Sequence, residues 1–257
     1  MKVPYSEVKR TAPKKRDIWA RVFLCDPIST PASWLLANLG VSPIQVTVVT
    51  FLLGIGAAVS FFLGNLLAGA ILYALCFLSD SMDGKLTRVL KKDDTYRGII
   101  DFILDGVVCV AVVMGLAMNG DRLLLLLLLL WMGLHYIDMR HTSATYRLKV
   151  QFGDTNVWLI NPEAEAIYNK SSAGFTKWAI STYHFIMYKM AKLRTYPHPT
   201  VGEAVILIFV VGPLLWWSTG DIFWMYLVTG LGFLGTLPEV IGAGMIAYIL
   251  ASKKKGE

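Results

Sequence analysis

The sequence is poor in the residues that build soft-metal centres. It has only three cysteines, Cys25, Cys76 and Cys109, and only four histidines. Neither set shows the spacing of a zinc site. Cys76 and Cys109 fall within apolar stretches, where packing in the core is the expected role of a free cysteine. The sequence therefore argues against a metal bound by thiolate or imidazole ligands.

Hydrophobic residues dominate instead. They make up 55% of the 257 residues, and the mean hydropathy is +0.55. This composition differs from that of an ordinary soluble domain. Six apolar stretches are long enough to predict transmembrane helices, at 46–63, 65–80, 99–118, 122–138, 202–218 and 223–250. We therefore predict an all-α integral membrane protein with six transmembrane helices.

The lysines and arginines predict its orientation. With six spans, all of them except Arg122 fall on one side of the membrane, and the positive-inside rule makes that side the cytoplasm. We expect both termini and the aspartates of α-helical spacing described below to face the cytoplasm, in a cell inner or plasma membrane or in an endomembrane. The net charge of +6 is then explained by anionic headgroups. Because the basic residues are dispersed over several loops, no nucleic-acid partner is predicted.

The chain divides into a basic N-terminal arm, residues 1–24, and one membrane domain, residues 25–257. Within the domain, 26–39 predict an amphipathic juxtamembrane helix, with Thr30 as N-cap and Pro31 at the first helical position. The long connection 139–200 predicts an extended cytoplasmic or interfacial segment.

Four aspartates stand out because charged residues at membrane depth are costly and mark functional sites. Asp80 and Asp83 are three residues apart, and Asp101 and Asp105 are four apart. On helices, each pair projects from one face. Two such helices side by side would bring four carboxylates to one place, where repulsion calls for compensation. Carboxylate oxygens are the ligands that Mg²⁺, Mn²⁺ and Ca²⁺ prefer.

The string D-S-M-D-G-K-L-T-R, residues 80–88, followed by D-F-I-L-D, residues 101–105, resembles the signature of the CDP-alcohol phosphotransferase family, D-x2-D-G-x2-A-R-x8-G-x3-D-x3-D. The resemblance implies transfer of a substituted phosphate from a CDP-linked donor to an alcohol, with release of CMP, in phospholipid synthesis. It favours CDP-diacylglycerol as the donor and implies a homodimer.

The resemblance also implies the roles of individual residues. Asp80, Asp83, Asp101 and Asp105 would hold two ions of Mg²⁺ or Mn²⁺, and Asp105 would act as the catalytic base. The CDP donor would contact a set that shares this signature: Asp80, Asp83, Gly84, Thr87, Arg88 and Arg97. Cations for a phosphorylated acceptor are expected among Arg140, Arg147, Lys149 and Arg194.

Three positions depart from the family pattern. Thr87 replaces an alanine, Arg97 replaces the second glycine, and Ile44 replaces an asparagine in a Pro-Asn-x-x-Thr string. Arg97 would either intrude on the donor or add a phosphate contact, unless Gly98 takes the glycine's role. The departures leave open a non-catalytic family member that serves as a scaffold or lipid-binding protein. An intramembrane prenyltransferase, which also binds diphosphate through aspartates, is a further alternative.

Overall fold

A computed structural model describes residues 3–14, 17–91, 95–152, 189–190, 192–196 and 199–253 of the chain, with side chains described except at 95, 140–152, 239 and 241–253. Regular structure in these ranges is helical. The helices are α1 (Tyr5–Thr11), α2 (Asp26–Asn38), α3 (Pro43–Phe62), α4 (Leu66–Leu90), α5 (Thr95–Asn119), α6 (Arg122–Phe152), α7 (Val201–Thr219) and α8 (Phe223–Lys253). π-Helical turns precede α2 at Ala20–Cys25 and interrupt α7 at Leu207–Val211.

Five stretches within the described residues are long and apolar enough to cross a membrane. They are Pro43–Phe62, Leu66–Leu90, Tyr96–Asn119, Arg122–Met139 and Val201–Thr219. These confirm the all-helical, integral membrane class. In the part of α8 whose side chains are described, the apolar stretch is Phe223–Pro238, so the sixth transmembrane helix and the cytoplasmic termini stay predictions.

One helix extends beyond its predicted span, and one predicted helix start was wrong. The second span was predicted to end at residue 80, and α4 continues to Leu90, so Asp80 and Asp83 lie within the helix, as their spacing predicted. The helix predicted to start at Thr30 begins at Asp26, with a proline in its first turn, and Pro31 lies within it. The sequence pattern failed at α2 because the π-helical turn before it already supplies helical backbone ahead of Thr30.

The exposed side of α2 carries Ile28, Leu35 and Leu39, whereas its buried side carries small or polar residues such as Ser29 and Ser33. The buried side packs on α4. An apolar exposed face is what an amphipathic helix lying in a membrane interface requires.

Helix α3 positions the helices that carry the aspartates, since both α4 and α5 pack against it. Gly115 of α5 lies so close to α3 that an added Cβ would be 2.5 Å from the carbonyl oxygen of Ala58. A Cβ on Gly54 of α3 would be 2.5 Å from a methyl group of Val108 on α5. These glycines fix α5 tightly against α3.

The described part of the N-terminal arm is docked on the membrane domain. Val8 and Ala12 are fully buried in a cluster that includes Leu86 of α4. Asp17 N donates to the Arg194 carbonyl oxygen at 2.9 Å, and the Trp19 indole donates to the Tyr196 carbonyl oxygen at 2.6 Å. The arm therefore reaches both α4 and the segment before α7. Of the predicted interfacial segment 139–200, residues 139–152 continue α6, whereas 153–188, 191 and 197–198 lie outside the described residues.

Candidate active site

Helices α4 and α5 present their aspartates at matching depth. Asp80 lies ten residues before the last residue of α4, and Asp105 lies ten residues after the first residue of α5. With a rise of about 1.5 Å per residue, each is about 15 Å from its helix end. Asp83 and Asp101 lie one turn nearer the connection. The periodicity of the two helices thus pairs Asp80 with Asp105 and Asp83 with Asp101.

The side chains meet as this register requires. Asp80, Asp101 and Asp105 each offer a carboxylate oxygen, and these oxygens lie within 4.8 Å of one another. The carboxyl groups of Asp83 and Asp101 are close enough to interact with each other. Asp105 is exposed, whereas Asp80 and Asp101 are half-buried. An exposed carboxylate this far along a membrane-spanning helix fits a polar or substrate-filled cavity, because contact with lipid would be costly.

Two guanidinium groups compensate part of the negative charge. Arg21, from the π-helical turn before α2, forms an ion pair with Asp80, and Asp80 raises the pKa of Arg21. Arg97, on the first turn of α5, forms an ion pair with Asp83. The other oxygen of Asp83 accepts a hydrogen bond from the Thr47 hydroxyl of α3. Both oxygens of Asp83 therefore have partners on the protein.

Gly84 and Arg88 lie between two pockets beside the carboxylates. A Cβ added to Gly84 would meet only Arg88 Nη1, at 3.5 Å, so the missing side chain leaves space for a ligand rather than for packing. One pocket includes Asp80 and Asp101 and is lined by Lys14, Asp17, Arg21, Asp80, Ser81, Gly84, Lys85, Arg88 and Asp101. The other is lined by Thr11, Gly84, Thr87, Arg88, Lys91 and Arg97.

The structure distinguishes the readings of the departures from the family pattern. Arg97 points to the carboxylates, whereas Gly98 is exposed with open space around it, so the helix has not shifted to bring Gly98 into the site. The Thr87 hydroxyl donates to the carbonyl oxygen of Asp83 at 3.0 Å. Ile44 is 40% exposed, while Thr47, from the same string, reaches Asp83.

Of the residues predicted to bind the acceptor, only Arg194 has a described side chain. Arg194 donates to the Lys14 carbonyl oxygen at 2.9 Å and to Asp26 Oδ2 at 3.2 Å, so it fixes the N-terminal arm and does not line either pocket. The side chains of Arg140, Arg147 and Lys149 lie outside the described residues.

Sequence reasoning missed the contribution of the N-terminal arm. It counted Lys14 and Arg21 only as residues that set the orientation, and it gave Asp17 no role. All three line the pocket that includes Asp80. No local pattern marks them, because they reach α4 only through the docking of the arm on the domain.

The buried Lys85 forms a network that sequence reasoning also missed. Its ammonium contacts Asp26 Oδ1 at 2.7 Å, Ser29 Oγ at 2.8 Å and Ser81 Oγ at 2.7 Å. All three donors of the ammonium group are used. Lys85 therefore ties α4 to α2 and has no donor left for a substrate.

Comparison with known proteins adds to the geometry. No protein-family model matches the chain. It is 37% identical over 86 residues to an archaetidylinositol phosphate synthase of Pyrococcus horikoshii, which is 33% of this chain and 45% of that protein. It is 46% identical over 78 residues to a bifunctional IPC transferase and DIPP synthase of Thermococcus kodakarensis, 30% of this chain and 18% of that protein.

Both relatives are members of the CDP-alcohol phosphotransferase family, the family whose signature residues 80–105 of this chain resemble. The matches span less than half the length of either relative, so the activity, substrates and partners of this chain are proposals.

Proposed function

We propose that this protein transfers a substituted phosphate from a CDP-linked lipid to an alcohol acceptor and releases CMP; the family resemblance favours CDP-diacylglycerol as the donor. The observation that carries the proposal is the convergence of Asp80, Asp101 and Asp105 beside a pocket whose wall is opened by Gly84. One relative is named for the synthesis of archaetidylinositol phosphate. We therefore propose a phosphorylated polyol such as inositol phosphate as the acceptor.

The donor set fits a divalent cation. Three carboxylate oxygens from two helices converge within 4.8 Å, and oxygen-only ligands suit Mg²⁺ or Mn²⁺. Asp80, Asp101 and Asp105 would hold the ion. When bound, it would supply positive charge to the phosphate oxygens of the donor during the displacement. The family resemblance implies two ions and includes Asp83 among their ligands.

The chain's own residues would position the reactants. The diphosphate would lie against Gly84, where the helix backbone is accessible, within reach of Arg88. The acceptor oxygen forms a bond to phosphorus as the bond from phosphorus to the oxygen of CMP breaks, and CMP leaves with that electron pair. Asp105 would accept the acceptor's proton on a carboxylate oxygen, because it is the most exposed of the three converging acids. Arg97 and Lys91 would add positive charge on the second pocket.

The test is CMP release by the purified protein in lipid nanodiscs with Mg²⁺ or Mn²⁺. CDP-diacylglycerol would be offered with inositol phosphate, glycerol phosphate or serine, and CDP-choline with diacylglycerol. We expect metal-dependent release with the first donor, lost in Asp105→Asn. Asp121→Asn is the matched control, since Asp121 is an exposed aspartate in the α5–α6 turn, and it should keep full activity.

One observation favours the alternative of a non-catalytic scaffold protein: Asp80 and Asp83 already form ion pairs with arginines. No CMP release from any pair by folded protein that still binds CDP-diacylglycerol would favour that reading over the enzyme. Release that persists in Asp105→Asn would instead remove Asp105 from the base role.

Orientation and assembly are part of the same proposal. We propose that the site faces the cytoplasm and that the protein is a homodimer. The glycines of α8 do not by themselves form an interface, because Gly232 packs on Ile208 of α7 within the chain and Gly235 lies next to Pro199. Gly230 is open, and Gly242 and Gly244 lie outside the described side chains. The mass of the nanodisc-embedded protein, determined by native mass spectrometry, tests the dimer.

A further inference from the structure

Arg97 forms an ion pair with Asp83, the aspartate that is not among the three whose oxygens lie within 4.8 Å of one another. Its guanidinium contacts Asp83 Oδ1, while Thr47 donates to Asp83 Oδ2. The side chain of Asp83 is 2% exposed and that of Arg97 is 14% exposed, so water screens this ion pair only weakly. Both oxygens of Asp83 are therefore engaged, so a divalent cation that used Asp83 as a ligand would have to displace a buried partner, at the cost of leaving it unpaired. The ion pair with Arg21 differs, because it engages only Oδ2 of Asp80.

The formal charges lead to the same conclusion. Four carboxylates without compensation would carry enough negative charge for two divalent ions. Arg21 on Asp80 and Arg97 on Asp83 remove half of that charge, and the remainder matches one divalent ion. Each further cation in a confined site of low dielectric is opposed by the guanidinium groups already there.

We propose that Arg97 takes the place of one metal ion, so that this chain binds a single divalent cation at Asp80, Asp101 and Asp105 and uses Asp83 to hold the guanidinium. The inference rests on the proposed function, because it concerns the same site. It explains why Arg97 replaces the second glycine of the family signature. Arg97 becomes a fixed positive charge beside the donor pocket, which it lines together with Arg88 and Lys91.

The unsatisfied Nε atom of Arg97 also supports a role for its guanidinium as a fixed cation beside the bound donor. Within the described residues, Arg97 Nε is buried and has no hydrogen-bond partner. A buried donor without a partner is costly, and a phosphate oxygen of a bound donor would satisfy it. A guanidinium can contact a carboxylate and a phosphate at once, because its five N–H donors point in different directions.

The experiment is the stoichiometry of Mn²⁺ binding to the full chain in nanodiscs, without substrate. Isothermal titration calorimetry and the electron paramagnetic resonance signal of free Mn²⁺ would be recorded on the same samples. We expect one ion per chain in the wild type and two in Arg97→Gly, which restores the family residue. Arg122→Gly, which removes an arginine on the other side of the predicted membrane, should bind one ion.

Substitution of Asp83 supplies the second arm. In the wild-type background, Asp83→Asn should leave the number of ions at one, because Asp83 is not a ligand there. In the Arg97→Gly background, Asp83→Asn should reduce the number from two to one. Arg97→Lys, which keeps the charge, should remain at one. A loss of folding in any variant would be detected by its thermal unfolding, and the remaining variants still decide the result.

Two ions on the wild type, or one ion on both the wild type and Arg97→Gly, would overturn the inference but leave the proposed transferase intact. The absence of ions on both chains would overturn the metal site itself. CMP release is measured separately, so a chain that binds one ion but transfers no phosphate would overturn the proposed function alone.

Discussion

Substitution of Lys85 can distinguish a structural role of this side chain from a role in substrate binding. It lies beside Gly84 in the signature, so the sequence alone is compatible with a contact to the donor. In the structure its side chain is 2% exposed and its ammonium is fully engaged by Asp26, Ser29 and Ser81. We therefore predict that Lys85→Met destabilises the protein rather than weakening substrate binding alone.

The magnitude follows from what the substitution leaves behind. Removing one partner of a buried ion pair typically costs about 3–5 kcal/mol, because the other charge stays buried. Asp26 keeps Arg194 at 3.2 Å and its side chain is 13% exposed, which moves the expectation to the lower end, about 3 kcal/mol. That corresponds to a factor of about 150 in the equilibrium between folded and unfolded protein.

The assay is reversible unfolding in mixed detergent micelles, followed by tryptophan fluorescence. Lys9→Met is the matched control, since Lys9 is exposed on α1, and it should change stability by less than about 0.5 kcal/mol. Adding Asp26→Asn to Lys85→Met should recover about 1 kcal/mol or more, because no buried carboxylate then lacks its cation. A Lys85→Met protein that is as stable as the wild type but needs far more donor would refute the reasoning.

Three further predictions concern the site and its supports. Gly84→Ala should fold normally but bind the CDP donor at least tenfold more weakly in a filter-binding assay, because its methyl group would project into both pockets; unchanged affinity would contradict this. Gly115→Ala should lower stability by about 1–3 kcal/mol, because its Cβ would collide with backbone of α3, and a neutral effect would show that the helices are less tightly packed. Burial raises the pKa of the Cys25 thiol, so its alkylation by N-ethylmaleimide at pH 8 should be much slower in folded than in denatured protein and should accelerate with pH only above the usual range for cysteine.

The signature and the hydropathy pattern predicted the class of protein and the family, and they placed the aspartates on helices. These predictions succeed because helical periodicity and membrane span length are local properties of the chain. The same local patterns do not report where a helix stops when the residues beyond the membrane continue to form it. For this reason the predicted span 65–80 did not indicate that α4 continues to Leu90.

The cations that balance the negative charge of the aspartates could not be predicted from local patterns. Arg21 and Arg194 were both counted as positive-inside residues, and of the two only Arg194 was a candidate for binding the acceptor. In the structure Arg21 pairs with Asp80 of the site, whereas Arg194 pairs with Asp26. The difference depends on how the N-terminal arm crosses the domain, which is a matter of contacts between residues distant in the sequence.

The sequence by itself determined that carboxylates would meet between two apolar helices, because their spacing matches the period of a helix. Only the tertiary structure decided which cations pair with them: Arg97 with Asp83 and Arg21 with Asp80. It likewise paired Lys85 with Asp26 of α2. The energy of a buried charge depends on the partner that packing brings to it and not on its neighbours along the chain.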